Sequence, residues 1–359
     1  MAIKRNKVKV DLTSYSHYIL MGEAKIGKTT TVYELAKQEY SLDEMLLISC
    51  GNEQGYKALP DIQYEEVLKF NKKEDSEGNR GFVQVVDDLV KNYKELGIKM
   101  VVIDTLDTLF DIGIEQVMEE SRRQTGKPSK SLNDCFGGYS RGRDRLLELV
   151  MNEIYKLDRL PVALFILGHT KYKGKKDTLT NDEYEQLTTN LRFDFYSPIS
   201  NSAQMIVNLA TERVIEDGVQ VDAKRYMYFT SNGLIDCGSR FEGLPEKLEL
   251  SAENFMKAFK MGVENSLKKS KVKHNVEELR KEEKKEQELD LKQVQQEVEQ
   301  QEKEEEEKVS LDELKSQLKH KLKDTNAKNI VKEFMKEKNV KSVASLDAEQ
   351  LQEILAKLQ

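Results

Sequence analysis

A glycine-rich segment near the start of the chain has the spacing of a phosphate-binding loop. Gly22 and Gly27 bracket four residues, and Lys28 and Thr29 follow directly. Glycines let backbone N–H groups wrap closely around phosphates, the lysine reaches the β- and γ-phosphates, and the threonine hydroxyl ligates Mg²⁺. An apolar run precedes the loop and a helix-like run follows, so the pattern predicts binding of ATP with Mg²⁺. The residues expected to contact the nucleotide are Gly22, Glu23, Ala24, Lys25, Ile26, Gly27, Lys28, Thr29 and Thr30.

An acidic residue ends an apolar run about 75 residues later. The run Met100–Ile103 leads directly to Asp104. A carboxylate at the end of a buried strand orients Mg²⁺ in proteins that carry the phosphate-binding loop, directly or through water. We therefore expect Thr29 and Asp104 to hold the metal. The alternative is a strand that ends in a turn-forming aspartate.

Two further polar residues follow apolar runs. Glu53 comes shortly after the run Met45–Ser49, where a carboxylate can polarise the water that attacks the γ-phosphate. His169 ends the run Leu164–Gly168, where it can sense the γ-phosphate and signal to the next loop. The alternatives are an exposed loop glutamate and a histidine that is hydrogen-bonded for structural reasons.

The elements that must position these residues alternate between strands and helices. Short apolar runs predict buried strands at His17–Met21, Met45–Ser49, Met100–Asp104 and Val162–Gly168, with further strands at Gln204–Ala210 and Arg225–Thr230. Helical periodicity predicts helices at Thr29–Gln38, Phe82–Leu96 and Arg143–Leu157. The fold class expected is α/β, with a mainly parallel sheet flanked by helices.

Composition divides the chain into three parts. The predicted domains are a core at 1–262, a charged helical or disordered spacer at 263–308, and a small helical module at 309–359. Fourteen acidic and seven basic residues lie between Glu277 and Lys308, which accounts for the whole net charge of −7. The spacing of Leu291, Val294 and Val298 is helical, but the apolar seam is too short to predict a sustained coiled coil.

Cellular location and thiol chemistry can also be predicted. Cys50, Cys135 and Cys237 are far apart and form no paired motif, so we expect free thiols and a reducing cytoplasm. The first residues lack an apolar signal segment, and no stretch is apolar for long enough to cross a bilayer. We expect a cytoplasmic protein without a membrane partner, in the bacterial host cytoplasm if it is viral.

The order of these parts resembles the RecA-type P-loop ATPase core. The resemblance rests on the loop at Gly22–Thr29, on Glu53 after the second strand, and on the strands that end at Asp104 and His169. It covers roughly residues 8–260. It implies a RecA-like fold in which the strand before His169 lies between the strand of the loop and the strand of Asp104. RecA-type cores usually have another polar residue, often glutamine, at the position of His169.

A narrower resemblance concerns the end of the core. The segment from Gly233 to Pro245 is similar to phage-encoded RecA-like ATP-binding proteins that work with single-strand annealing and single-strand-binding proteins. The resemblance implies a homo-oligomer, a ring or filament with ATP at the subunit interface, and a basic residue supplied by the neighbour. Arg240 is the candidate for that residue, with Lys224 and Arg225 as substitutes, and a solvated surface cation is the alternative for each.

Two basic segments follow the predicted catalytic strands. The first runs from Arg122 to Arg145 around Phe136 and Tyr139, and the second contains Lys171, Lys173, Lys175 and Lys176 around Tyr172. Cations track phosphates, and aromatic rings stack on unpaired bases. In RecA-like proteins, loops at these positions line the DNA path, so we expect contact with single-stranded DNA. Nearby acids such as Glu119 and Asp177 dilute this signal, and solvated loops are the alternative.

Three functions fit the sequence. The first is a DNA-stimulated ATPase that acts on single-stranded DNA in phage recombination or replication, with Lys28, Glu53, Asp104, His169 and Arg240 as catalytic candidates. The second is a P-loop phosphotransferase that acts on a small molecule, with Arg122 and Arg123 on a lid. The third is an ATP-gated scaffold that does not catalyse turnover.

Overall fold

A computed structural model describes residues 7–177, 179–216, 219–270, 275–321, 331, 334–335 and 348–357. The strands are β1 Tyr18–Gly22, β2 Met45–Cys50, β3 Tyr64–Val67, β4 Met100–Asp104, β5 Ala163–Lys176, β6 Glu183–Thr189, β7 Met205–Glu216, β8 Val219–Tyr228, β9 Gly238–Ser239 and β10 Lys247–Glu249. The helices are α1 Lys28–Glu39, α2 Phe82–Leu96, α3 Leu106–Thr125, α4 Arg141–Asp158, α5 Phe193–Ser202, α6 Ala252–Lys268, α7 Val276–Lys321 and α8 Ala348–Lys357.

The sheet confirms the predicted fold class. Its strand order is β10-β8-β7-β1-β5-β4-β2-β3, and β1 pairs in parallel with both β5 and β7. Strand β5 also pairs in parallel with β4, so the expected position of β5 between β1 and β4 is confirmed. Carboxyl ends of parallel strands meet at one edge of a sheet, so Gly22, Asp104 and His169 share an edge.

Apolar side chains cover both faces of the central strands. Every residue of β1 and β4 is buried, which explains their continuous apolar sequences. Alternate residues of the strands pack with α1 and α6 on one face, where the Tyr18 ring stacks on Phe165 with centroids 5.0 Å apart. On the other side, α3 contacts β5 and β2, and α4 packs against both α2 and α3.

Strand β5 is longer than the sequence predicts. It was expected to end at Gly168, but it continues to Lys176 because β6 pairs with it in an antiparallel hairpin. Residues 170–176 therefore extend past the carboxyl edge of the parallel sheet as an ordered strand.

From Ala252 onward, the described residues are almost all helical. Contacts divide the chain into units at Met1–Val294 and Gln295–Gln359, and α7 begins in the first unit and ends in the second. About two thirds of the segment expected to be a spacer, residues 263–294, thus belong to the first unit. There, Glu283 of α7 accepts hydrogen bonds from the Val10 N–H and from the Ser14 hydroxyl. Leu279, Leu291 and Val294 of α7 are buried.

The second unit has a small apolar cluster of its own. It consists of Leu318, Val331, Phe334, Leu351, Ile354 and Leu355. No helix in the described part of the chain is long and apolar enough to cross a membrane. Cys50, Cys135 and Cys237 are buried free thiols, as expected.

Candidate nucleotide site

The loop between β1 and α1 has the shape that its glycines allow. Gly27 has a φ of 116°, in the left-handed region that favours glycine. A Cβ atom at Gly22 would lie 2.8 Å from Cγ2 of Ile26 and 3.0 Å from Cβ of Leu209. Both glycines are therefore required by the local structure. Helix α1 begins at Lys28, so its free N–H groups and positive dipole end face the space inside the loop.

The side chain of Lys28 lies within the loop. Its Nζ donates hydrogen bonds to the carbonyl oxygens of Gly22, at 2.9 Å, and of Glu23, at 3.0 Å. Burial lowers its pKa, and the carboxylates of Asp104, Asp107 and Glu53 oppose that change. A charged donor held in this way can exchange its carbonyl partners for phosphate oxygens.

Thr29 and Asp104 are in direct contact. The Thr29 hydroxyl donates to Oδ2 of Asp104 at 2.9 Å. Burial raises the pKa of Asp104, while the bond from Thr29 and the charge of Lys28 lower it. A hydroxyl and a carboxylate are hard oxygen ligands, and Mg²⁺ commonly takes one or two protein oxygens together with waters and substrate phosphates. The two residues thus fit the predicted metal. Among the described residues there is no larger cluster of His, Cys, Asp and Glu suited to a metal.

Glu53 lies beside these residues, in the loop that follows β2. The Ser49 hydroxyl donates to its backbone oxygen at 2.7 Å, which fixes the start of the loop. Its half-buried carboxylate acts electrostatically on both Lys28 and Asp104. The structure therefore brings Glu53 to the site that the sequence predicts for it.

His169 lies next to the first glycine of the loop. In the β1–β5 ladder its register partner is Gly22. The His169 backbone N–H donates to Oδ2 of Asp107 at 2.8 Å, and Nδ1 of its ring lies 3.3 Å from the same oxygen. The charge of His169 also lowers the pKa of Asp104. Asp107 was not predicted as a site residue. Its position three residues after Asp104 was the available signal.

These residues lie within the region that a family model recognises. The model of the AAA domain matches residues 14–241, which is more than half of the chain. The chain belongs to the AAA domain family. An AAA domain is a P-loop ATPase domain that binds nucleotide, typically with Mg²⁺. A comparison with curated proteins finds no match.

Arg240 is at the other edge of the AAA domain. Its backbone N–H donates to Gln204, directly before β7, and its Nη2 donates to the oxygen of Asn201. Those residues precede the amino end of β7, whereas Gly22 is at the carboxyl end of the neighbouring β1. The fold does not bring Arg240 to the phosphate loop of its own chain. Its action on a neighbouring subunit stays a prediction.

Arg225 lies next to the phosphate loop. Its Nη1 is 3.9 Å from a Cβ atom built on Gly27. Strand β8 carries Arg225 there, and Leu250 fixes the strand by donating its N–H to the Arg225 oxygen. A cavity of about 700 Å³ opens at this point, lined by Thr30, Glu34, Gln38, Lys224, Arg225 and Ser251, among others. The cavity adjoins the loop, so it has space for the nucleoside of a bound nucleotide.

Several arginines of the first basic segment are paired with carboxylates. Arg122 and Arg123 lie in the last turn of α3 and both pair with Glu119. Arg145 pairs with Glu120 and with Glu148. The two arginines expected on a phosphotransferase lid are thus engaged on their own helix. Tyr139 remains 92% exposed in the loop between α3 and α4.

The second basic segment forms the hairpin of β5 and β6. Successive strand side chains point to opposite faces, so Lys171, Lys173 and Lys175 lie on one face, opposite Thr188, Gln186 and Tyr184 of β6. We call this the lysine face. Tyr172, Gly174 and Lys176 lie on the other face, opposite Leu187, Glu185 and Glu183. The acids of β6 therefore do not dilute the charge of the lysine face.

Proposed function

We propose that this AAA domain protein is a RecA-like ATPase whose turnover of ATP is stimulated by single-stranded DNA. The observation that carries the proposal is the continuity of β5. One strand passes beside the phosphate loop at His169 and then carries Lys171, Lys173 and Lys175 into the hairpin. A structural change caused by loss of the γ-phosphate would pass through only a few residues of ordered backbone before it reached the lysine face.

The electrostatics of the hairpin favour a polyanionic partner. Burial first, and then the positive charge of Lys171, lower the pKa of Lys173, and Asp236 offsets this only in part. The lysine face has no strand carboxylate to offset the repulsion between its lysines. Binding of phosphate groups relieves that repulsion and is therefore favourable. Two exposed rings are available for stacking by unpaired bases, Tyr172 on the opposite face of the hairpin and Tyr139 in the loop before α4. These features fit single-stranded nucleic acid.

Hydrolysis follows from the roles of the residues around the loop. Lys28 binds the β- and γ-phosphate oxygens, and His169 contacts the γ-phosphate from the point at which β5 leaves the parallel sheet. Glu53 accepts a proton from the attacking water, whose oxygen bonds to the γ-phosphorus as the bond to the leaving ADP oxygen breaks. Mg²⁺, held by Thr29 and Asp104, would neutralise the charge that develops on the phosphates. The products are ADP and phosphate.

The biological role that we propose is recombination or replication in a phage. The protein would act as a homo-oligomer, a ring or a filament, beside a single-strand annealing or single-strand-binding protein. Arg240 of one subunit would then serve the site of its neighbour. The resemblance of the Gly233–Pro245 segment supports this part of the proposal.

The test is ATP hydrolysis by the purified protein with and without single-stranded DNA. We expect DNA to stimulate turnover, and we expect Lys28→Ala and Glu53→Gln to abolish it. Glu74→Gln is a matched control, because Glu74 is an exposed glutamate outside the site. If ATP turnover does not change when DNA is added and is retained in Glu53→Gln, the RecA-like mechanism is refuted and a phosphotransferase is favoured. Tight ATP binding without turnover, even with DNA, would favour a scaffold.

A further inference from the structure

Asp107 is a carboxylate at the junction of three functional segments. It lies in the first turn of α3, directly after the strand that ends at Asp104. Its Oδ2 accepts the backbone N–H of His169 and lies within ion-pair distance of the ring, while its Oδ1 is buried without a hydrogen-bond partner in the described structure. An acid in the first turn of a helix is favourable by itself. That preference does not account for two contacts with His169.

The charge of Asp107 acts on a lysine in the phosphate loop and on a lysine in the hairpin. Its carboxylate acts to raise the pKa of Lys28 in the phosphate loop and also that of Lys173 in the hairpin. The side chain is 13% exposed, so solvent screens these interactions only weakly. Asp107 thus lies between the phosphate loop and the lysine face, and it touches the residue that joins them.

The contacts with His169 have a chemical consequence. A carboxylate only accepts hydrogen bonds, so its position 3.3 Å from Nδ1 favours a proton on that nitrogen and leaves Nε2 to face other groups. The backbone of His169 is held on both sides, because its oxygen accepts the Asn190 N–H at 2.8 Å. One carboxylate therefore sets the orientation of the ring and fixes the point at which β5 leaves the sheet.

We infer that Asp107 is the positioning residue that orients His169 toward the nucleotide and ties that contact to the lysine hairpin. The inference rests on the proposed function for the role of His169. Asp107 contacts no reacting atom, and it acts through His169.

A double-mutant cycle without DNA tests this inference. Asp107→Asn is nearly isosteric and keeps an acceptor for the backbone N–H, but it removes the charge that fixes the ring. We expect kcat to fall about tenfold, as when an orienting partner of a functional histidine is lost, with KM for ATP changed less than about twofold. In the His169→Gln background, Asp107→Asn should have no further effect. Additive losses in the double variant would overturn the inference.

Hydrogen exchange of the hairpin amides gives a second readout that does not need turnover. In the wild type, amide protection in residues 169–176 should differ between the ATP-bound and ADP-bound protein. Asp107→Asn should abolish that difference, whereas Asp111→Asn, the same change one turn further along α3, should retain it. An intact difference in Asp107→Asn would refute the inference. If DNA fails to stimulate the wild type, the proposed function is wrong, while the cycle and the exchange data still decide the role of Asp107.

Discussion

The two faces of the β5–β6 hairpin allow a sharp test of DNA binding. Lys171 and Lys175 are exposed and lie on the lysine face, and Lys176 is also exposed but lies on the opposite face, across from Glu183. The variants compared are Lys171→Gln with Lys175→Gln, and Lys176→Gln as the matched control. Lys173 is left unchanged because its Nζ donates to the Leu191 oxygen and supports the hairpin.

The expected magnitude follows from counterion release. Each lysine that neutralises a phosphate of a single strand contributes about 0.7 to the slope of log K against log salt concentration. Loss of Lys171 and Lys175 should therefore reduce the slope by about 1.4. Between about 50 and 200 mM salt, the affinity of the double variant should fall about sevenfold less than that of the wild type. The control should leave the slope almost unchanged, since Glu183 already lies opposite Lys176.

The assay is fluorescence anisotropy of a labelled oligonucleotide, repeated at several salt concentrations. Wild type, double variant and control are compared with ATP present and absent. If substitutions on the two faces change the salt dependence equally, the hairpin attracts DNA through its overall positive charge rather than through a defined surface. An unchanged slope in the double variant would refute contact between the lysine face and phosphates.

Further predictions concern the cavity, the thiols and helix α7. Arg225→Ala should raise KM for ATP severalfold because Arg225 lines the cavity next to Gly27, whereas Arg213→Ala, at a side chain also exposed on the paired strands β7 and β8, should not; steady-state kinetics decide this. Burial raises the pKa of Cys237 to about 12, so at pH 8 its thiolate fraction is about a thousandfold smaller than for an ordinary thiol. Ellman's reagent should react slowly with the native protein and with three thiols after unfolding. Leu291→Ala should destabilise the first unit by about 2–5 kcal/mol, whereas Leu289→Ala, at a side chain 61% exposed, should change stability by less than about 0.5 kcal/mol in urea unfolding.

The sequence predicts the elements that depend on local pattern. All residues of the phosphate loop are adjacent in the sequence, so the motif Gly22–Thr29 can be recognised without the structure. Strand Met100–Asp104 is apolar throughout because both faces of the sheet are covered, and its limits were predicted correctly. Helix Phe82–Leu96 has a regular apolar face and was also predicted with the correct limits.

Elements that depend on distant partners were missed. Helix α3 has a glycine near its centre, and glycine lowers the helix propensity on which a prediction from sequence depends. In the structure, a Cβ at Gly113 would lie 2.7 Å from Cδ1 of Leu146, so the glycine allows α3 and α4 to approach closely. The lysines of β5 have no strand pattern of their own, and only their pairing with β6 makes them a strand.

The same distinction holds for the site. Lys28, Glu53, Asp104 and His169 could be found because each follows a recognisable strand or loop. The contact of Asp107 with His169 requires the non-sequential order β1-β5-β4, and the approach of Arg225 to Gly27 requires that β8 pair with β7. The position of Asp107 close to Asp104 in the sequence indicates that it belongs to the site but does not predict its contact with His169, and the approach of Arg225 has no local signal.

The central position of β1 has a consequence for the synthesis of the chain. Its two neighbours, β5 and β7, begin at Ala163 and Met205, so the strand that carries the phosphate loop is made well before either of its partners. At about 5–20 residues per second, roughly 10–40 s separate the synthesis of β1 from that of β7. Residues Tyr18–Met21, which are buried in the fold, keep at least one unpaired edge during that interval. The nascent chain therefore needs protection around β1 until the second neighbour has been made.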